Sequence, residues 1–412
     1  MNPSATRAPL SRRTEYTFKV NTNTSRHGWL RLTPAYSLKL VEELLAAHTP
    51  IKRVIDPFCG TGTTALCAAQ RGHEVVTIDI NPFLVWFTRV KTAQYSLGSI
   101  EEARIAGHEA LQLAAKRIIT PAAAPPIFNI ERWWCPEALE FLRYLRAAID
   151  QVTRPHTPPH DLLLVTFCRT LIELSNAAFN HQSLSFNSAH ELRTLFPIDE
   201  SAVFESNLQF VLRGARENPL SNASVLLADS RQLRRCVAGQ FDLVITSPPY
   251  ANRISYIREL RPYMYWLGFL KNGKEAGELD WAAIGGTWGS ATSRLINWER
   301  AQNHFESKQL DSILSEIKKR DGKSGKLIVN YLAKYFDDLW AHFCELQSLL
   351  NSGAELHYVI GNSTFYGILI PTEQIVADML SQLGFSNVIQ KPIRKRNSNK
   401  SLVEFDVTAR WR

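Results

Sequence analysis

Val54–Pro82 reads VIDPFCGTGTTALCAAQRGHEVVTIDINP, and the reading of this stretch decides the fold. Val54–Ile55 is a short apolar run ending at Asp56, and Pro57, Gly60 and Gly62 then break it. Thr63 to Arg71 is rich in Ala and Leu, which predicts a helix closed by Gly72 at C′. Val75 to Ile78 is a β-branched run, the composition of a strand buried in a parallel sheet, and it ends at Asp79. Two strands therefore each deliver a carboxylate at their carboxyl end, the edge where open α/β sheets bind ligands.

The residue types suit a nucleoside ligand. Glycines let the backbone approach a ligand without a Cβ clash, and the helix that follows points free N–H groups at the turn. An acid at the end of the second strand can accept from both ribose hydroxyls, and Asp79 stands about 20 residues beyond the glycines, the offset of a nucleoside-binding βαβ unit. A dinucleotide fingerprint tolerates Ala65 at its sixth position, so spacing alone leaves NAD open; the flanking Asp56-Pro57-Phe58 weighs against it.

A second motif is Asp242–Tyr250, DLVITSPPY. Leu243 to Ile245 form an apolar strand that runs into Ser247-Pro248-Pro249-Tyr250. Two prolines fix φ and remove two donors, leaving a stiff loop whose carbonyls can accept, with a hydroxyl before it and an aromatic ring after it. Methylation of an exocyclic amine needs this set. Acceptors at Ser247 and the Pro248 carbonyl would hold the amino hydrogens and favour a tetrahedral nitrogen, while Tyr250 would stack on a base swung out of the duplex.

The pair DPFCGTGTT…IDINP and SPPY resembles the motifs of S-adenosylmethionine-dependent methyltransferases that act on DNA amino groups. The resemblance implies that Asp56, Phe58, Gly60 and Gly62 line the cofactor's methionine end, that Asp79 holds its ribose and that Ile80 packs on its adenine. Pro57, Thr63 and Asn81 complete that set. Thr33, Pro34 and Tyr36 match the loop that closes on the methionine part, and Asp229-Ser230, after the strand Ser224 to Ala228, matches the contact to the adenine amino group. Ser247, Pro248, Pro249 and Tyr250 would be catalytic. Serine at the first position is more typical of cytosine-N4 enzymes, and Asp or Asn of adenine-N6 enzymes. An RNA base methyltransferase and an inactive nucleic-acid-binding subunit are the other readings; no OB or KH pattern supports the former, and the intact Ser247–Tyr250 loop argues against the latter.

The remainder of the chain frames this reading. With 412 residues and 45% hydrophobic content it is a globular protein with room for two or three domains. The formal charge of +8 fits an anionic partner. Six cysteines without C-x-x-C spacing argue against zinc and a disulfide framework, so no metal is expected. Absent apolar spans and signal core predict no membrane contact and a cytoplasmic protein.

Met1 to Arg31 carries six basic residues against Glu15 and reads as a phosphate-contacting arm or a solvated tail. Helices are expected at Ser37 to Ala47 and Phe83 to Ala93. From Tyr95 to Leu220 the pattern is mostly helical, including Cys135 to Val152 and Leu162 to Phe179, with Ser175 to Ser188 suited either to base edges or to a capped loop. Ala251 to Phe269 mixes Arg253, Tyr256 and Arg258 beside the catalytic loop, which fits DNA contact or an amphipathic surface. Gly273 to Lys326, with Arg294, Trp298 and Arg300, is a second candidate recognition element. A long helix at Asn330 to Leu350 and a strand at Leu356 to Gly361 follow. Val388–Ile389 and Val403 to Ala409 predict closing antiparallel strands joined by Lys391 to Lys400, whose five basic residues, Arg394, Lys395 and Arg396 among them, make a phosphate-binding loop or a soluble tip.

The expected fold is α/β: a Rossmann-like methyltransferase sheet with a closing antiparallel hairpin plus a mostly helical insertion. It divides into 1–94 (arm and cofactor half), 95–220 (helical insertion) and 221–412 (catalytic half, with DNA-contacting loops at 273–326 and 391–400). The insertion lies before Asp229 rather than after it, a departure from the resembled class. S-adenosylmethionine, double-stranded DNA and a cognate restriction endonuclease are the implied cofactor and partners.

Overall fold

A computed structural model describes residues 13–32, 35–48, 50, 52–178, 185–186, 198–300, 304–320, 322–396 and 402–412. Thr33 and Pro34, residues 1–12, most of the 175–188 stretch and residues 397–401 lie outside the described residues.

Seven strands form the central sheet: β1 Arg53–Asp56, β2 Glu74–Asp79, β3 Ala223–Leu227, β4 Phe241–Thr246, β5 Leu350–Gly361, β6 Ser386–Lys395 and β7 Val403–Arg410. Their spatial order is β6-β7-β5-β4-β1-β2-β3. β1 pairs in parallel with β2 and β4, β2 with β3, and β4 with β5; β7 runs antiparallel to both β5 and β6. The chain order reverses direction between β1 and β4, so a crevice opens above their carboxyl ends.

Both faces of this sheet are covered, which is why β1 and β4 read as near-continuous apolar runs. One face packs Val54, Val75, Leu243 and Ile245 against helices α1 Leu38–Ala46 and α2 Thr63–Gln70. The other packs Ile55, Ile78 and Val244 within the core that includes the long helix spanning residues 322–346. Helix starts follow local chemistry. Ser37 accepts from Leu40 N at the head of α1, and Asn81 accepts from Phe83 N at the head of α3 Pro82–Thr92, with Pro82 at the first helical position. Gly72 takes φ +78° where the sequence places a left-handed C′ residue.

The helical segment comprises α4 Leu97–Lys116, α5 Pro136–Val152, α6 Pro158–Glu173 and α7 Glu200–Ala215. Its core is shared with α3 and with α8 Tyr256–Trp266, where Phe83 stacks on Tyr263 at 5.2 Å. Several element bounds depart from the sequence reading. α6 starts four residues earlier than expected because Pro158 sits at its head, and it ends at Glu173 because Asn176 N turns away to Trp133 O at 2.7 Å. α8 is shorter than Ala251 to Phe269 because Ser255 caps it at Arg258 N. Pro262 inside α8 has no N–H for the Arg258 carbonyl, and Arg261 Nη1 takes that carbonyl at 3.3 Å.

Two further expectations are corrected. Part of the polar N-terminal arm is built into the fold: Arg26 is fully buried, and its guanidinium donates to the carbonyls of Gly214 (3.0 Å), Ala215 (2.8 Å), Lys91 (3.1 Å) and Ala93 (2.5 Å) and to Asn218 Oδ1 (2.8 Å). Five acceptors satisfy the charge that burial would otherwise penalise. Gly273 to Lys326 is largely helical, as α9 Gly273–Ala282, α10 Ser290–Ile296, α11 Lys308–Arg320 and the start of α12 Gly322–Leu346. Arg294 pairs with Glu278 and Arg300 with Asp337 (2.9 Å), so both cations expected to probe DNA are engaged within the protein. α13 Thr372–Gln382 completes the helices before β6.

Arg26→Met is expected to lower stability by roughly 3–5 kcal/mol, because it strands several buried carbonyls at one junction. Denaturant unfolding reads this directly, and an unchanged midpoint would mean that Arg26 does not hold the N-terminal segment.

Candidate active site

The carboxyl ends of β1, β2, β3 and β4 open onto a cleft of about 810 Å³. Its wall includes Tyr36, Pro57, Phe58, Gly60, Asp79, Ile80, Asn81, Asp229 and Ser230 on the cofactor side of the expected site. Ser247, Pro248, Pro249 and Tyr250 line the same cleft, as do Tyr256, Arg394, Lys395 and Arg396. Two sequence motifs nearly 190 residues apart thus meet because β1 and β4 are neighbours, a pairing that puts Val54 opposite Leu243.

Asp79 organises the glycine turn. Its Oδ2 accepts from Gly60 N and its Oδ1 from Asn81 N, each at 2.9 Å. Gly60 and Gly62 hold φ +51° and +69°, the left-handed region that favours glycine. Burial pushes the Asp79 carboxyl up to about 6, against the pull of these N–H donors. Asp56 lies behind the turn, fully buried, and does not line the cleft. Its Oδ1 accepts from Thr246 Oγ1 (2.6 Å) and Phe58 N (3.1 Å), whereas its buried Oδ2 has no hydrogen-bond partner among the described residues. Burial raises this carboxyl to about 7. Gly62 and Thr63 also lie behind the surface, at the head of α2.

Just after β3, the Asp229 carboxylate accepts from Arg231 (2.7 Å), whose guanidinium also reaches Asp338 (2.7 Å). Asp229 consequently titrates below the usual carboxylate range even though burial opposes the shift. Ser230 contributes its carbonyl to His342 Nδ1 (3.1 Å), and His342 Nε2 meets Tyr358 Oη at 2.6 Å. A carbonyl can only accept, so His342 carries its proton on Nδ1; burial depresses its pKa to about 4 and keeps it neutral. Its ring packs edge-to-face with Phe58, centroids 4.8 Å apart, which supports that cleft wall. Asn81 is spent as the α3 cap, with its amide nitrogen 3.6 Å from Met264 Sδ. Tyr36 reaches Thr64 by its hydroxyl.

The Ser247–Tyr250 loop is pinned at three points. Ser247 Oγ donates to Val359 O (2.9 Å), Tyr335 Oη to Pro249 O (2.7 Å) and Tyr250 Oη to Glu404 Oε1 (2.8 Å). Because Ser247 gives its proton to Val359, its oxygen remains an acceptor toward a ligand. Arg253 follows in an exposed turn with φ +57°, its N–H on Tyr331 Oη at 3.1 Å; Arg258 sits in the first turn of α8, outside the cleft.

The basic loop expected at 391–400 is redrawn. β6 continues to Lys395, so Arg394 and Lys395 are strand residues, and Arg394 pairs with Glu404 at 2.7 Å. Sequence reasoning missed Glu404, Tyr335, Arg231 and His342. Only Glu404 carried a signal, as an acid within the apolar alternation of VEFDV. Among the described residues, one group with metal-donor types, His48, Glu355 and His357, has donor atoms within 4.8 Å of one another; it lies outside the cleft, and Glu355 already pairs with Arg410.

The family model of D12 class N6 adenine-specific DNA methyltransferases matches residues 38–113. Over 438 residues, covering 93% of this chain and 83% of that one, the sequence is 24% identical to the Type II methyltransferase M.BsoBI of Geobacillus stearothermophilus. It is 24% identical to the Type II methyltransferase M.AvaI of Nostoc sp., over 93% of this chain and 84% of that one. Among solved structures, the rRNA methyltransferase aviRa from Streptomyces viridochromogenes aligns over 92% of this chain and 87% of that one at 10% identity, with a TM-score of 0.28.

A Cβ at Gly62 would lie 2.6 Å from Thr88 Oγ1 and Cγ2 in a backbone conformation already unsuited to alanine. Gly62→Ala is expected to cost of order 1–3 kcal/mol. Adding Thr88→Ala removes the two closest clashing atoms and leaves the backbone strain. Thermal unfolding of the single and double variants separates the two, and equal melting of Gly62→Ala and the unsubstituted chain would remove the turn's need for glycine.

Proposed function

We propose that this chain, an S-adenosylmethionine-dependent DNA amino-methyltransferase, methylates the exocyclic N4 of a cytosine swung out of duplex DNA, as the modification partner of a restriction endonuclease. The observation that carries this reading is the meeting of Ser247–Tyr250 with Asp79 in one cleft at the switch point of the sheet.

The residues present fit the cofactor. Asp79 offers carboxylate oxygens to ribose hydroxyls, while Phe58, Ile80 and Tyr36 supply apolar wall. Gly60, in the left-handed conformation that favours glycine, keeps side-chain bulk off the wall beside Asp79. When bound, the cofactor supplies a sulfonium methyl, an electrophile that an amine can attack directly. The chain's own residues prepare the amine. Ser247 Oγ and the Pro248 carbonyl accept its two hydrogens, which draws the lone pair out of conjugation with the ring. Tyr250 holds the base by stacking, and the proton that the amine must lose on methylation passes to water at the open cleft. Around the cleft, Arg253, Tyr256, Arg258, Lys395 and Arg396 supply cations and aromatic surface suited to the DNA backbone. With Arg394 paired to Glu404, we assign it to the cleft wall in preference to phosphate contact.

Serine at position 247 supports cytosine. The description of the D12 class favours adenine N6 as the second reading; its match ends at residue 113, well before Ser247, and so concerns the cofactor half. Mass analysis of nucleosides from the DNA of a methylation-free host expressing the chain distinguishes the two. N4-methylcytosine is the expected product; N6-methyladenine would keep the mechanism but overturn the cytosine assignment, and the absence of both would overturn the reading.

Cofactor affinity is expected to depend on pH. An ionised Asp79 accepts from ribose hydroxyls better than a protonated one, so affinity is present above its pKa of about 6 and falls as pH drops through that value. Asp79→Asn should weaken binding about tenfold or more and reduce the slope between about pH 5 and 7. Calorimetric titration across that range checks both; a variant with unchanged affinity would remove the ribose role.

A further inference from the structure

Tyr250 is held by the closing hairpin as well as by its own loop. Its hydroxyl donates to Glu404 Oε1 at 2.8 Å. Glu404 stands on β7, opposite Gly361 of β5 on one side and Arg394 of β6 on the other, and it is 5% exposed. Arg394 Nε donates to Glu404 Oε2 at 2.7 Å and its Nη2 to Oε1 at 3.2 Å. Arg396 lies with its guanidinium carbon 4.8 Å from the Tyr250 ring centroid, fastened by Nη1 to Asn362 O at 2.6 Å. Gly361 leaves the room for this arrangement, since a Cβ there would lie 2.9 Å from Tyr250 Cε2 and 2.6 Å from Arg396 Nη1. Tyr250, Arg394, Arg396 and Glu404 all line the cleft.

Hairpin stability alone does not call for this arrangement. A buried Arg–Glu pair costs desolvation that an apolar pair of similar volume avoids, so its contribution to stability is small. What the pair supplies is a carboxylate with its charge balanced and one oxygen directed at a phenol. A tyrosine that stacks on an incoming base must present its ring in a set plane, and the hydroxyl, at the far end of the ring from the backbone, gives the longest lever for setting it. Arg396 adds a second restraint from the ring face.

We propose that Glu404 is a positioning residue for the target nucleobase. It fixes the plane of Tyr250 through the phenol hydroxyl, so that a base bearing an exocyclic amine stacks with its nitrogen at Ser247 and Pro248. The assignment rests on the amino-methyltransferase reading above. Glu404 touches neither cofactor nor amine and acts through Tyr250, which predicts an effect on turnover rather than on cofactor binding.

The test is a double-substitution cycle in the full chain, with methyl transfer to DNA from a methylation-free host and cofactor affinity measured side by side. Tyr250→Phe removes only the hydroxyl and leaves Arg394 to balance Glu404; Glu404→Ala removes the acceptor. Each is expected to lower kcat about tenfold with cofactor Kd within about twofold, and the double variant to lose no more than either single one. Losses that multiply to about a hundredfold would show that Glu404 acts elsewhere and overturn the proposal. So would a Tyr250→Phe rate within about twofold of the unsubstituted chain, a result that stands even if Glu404→Ala does not fold. An unsubstituted chain that binds cofactor but leaves DNA unmethylated overturns the methyltransferase reading and this proposal together, and is thereby told apart from a failure of Glu404 alone.

Discussion

The carboxyl group of Asp79 is the constraint on which the turns at the carboxyl ends of β1 and β2 depend. Its two oxygens close onto Gly60 N and Asn81 N, and its main-chain carbonyl accepts from Ala228 N at 3.0 Å. One residue at the end of β2 therefore joins the glycine turn after β1, the head of α3 and the turn after β3. The glycine turn has few ways to satisfy its own N–H groups, since its residues adopt left-handed conformations that leave the regular ladder. A strand-end acid supplies the missing acceptor. It also sets the height at which Asp229 follows β3, one residue beyond Ala228.

Burial of acids is the electrostatic theme of the cleft. Asp56 is shut off from water and Asp79 is partly so at the cleft wall, and desolvation raises both carboxyl groups above the usual range. Thr246 offsets part of the cost at Asp56 and, in doing so, binds the end of β1 to the end of β4. That bond lies one residue before Ser247, so the end of β1 and the Ser247–Tyr250 loop share a fixed reference point. Asp229 takes the opposite course. Its charge is matched by Arg231, which is itself matched by Asp338, and the carboxylate stays ionised.

The reversed strand β7 serves the site from the other end of the sheet. Inserted between β5 and β6, it brings Glu404 alongside Gly361 and Arg394. A parallel strand at this place would present its carboxyl end to the cleft; the antiparallel one presents its beginning, so residues just after the turn from β6 reach Tyr250. The same geometry converts Arg394 and Arg396 from an apparent surface run into wall residues with specific partners.

How much of this was legible in the sequence follows from the range of each interaction. The βαβ unit at Val54–Pro82, the caps at Ser37 and Asn81 and the strand ending at Ser247 depend on neighbours a few residues apart, and local residue types report them. The antiparallel end of the sheet was also readable, from two β-rich runs joined by a turn. Arg26 was not: a cation in a polar arm looks solvated until four distant carbonyls converge on it. The same holds for Arg294 and Arg300, whose acidic partners lie 16 and 37 residues away, and for Glu404, 154 residues beyond the hydroxyl it holds. By itself the sequence determined the βαβ unit, the strand that ends at Ser247 and the residue types that follow these strands, because turn and strand propensities act over short distances. Only the tertiary structure decided which charges are spent on internal partners and which face the cleft, because a buried charge is governed by the groups that surround it in space.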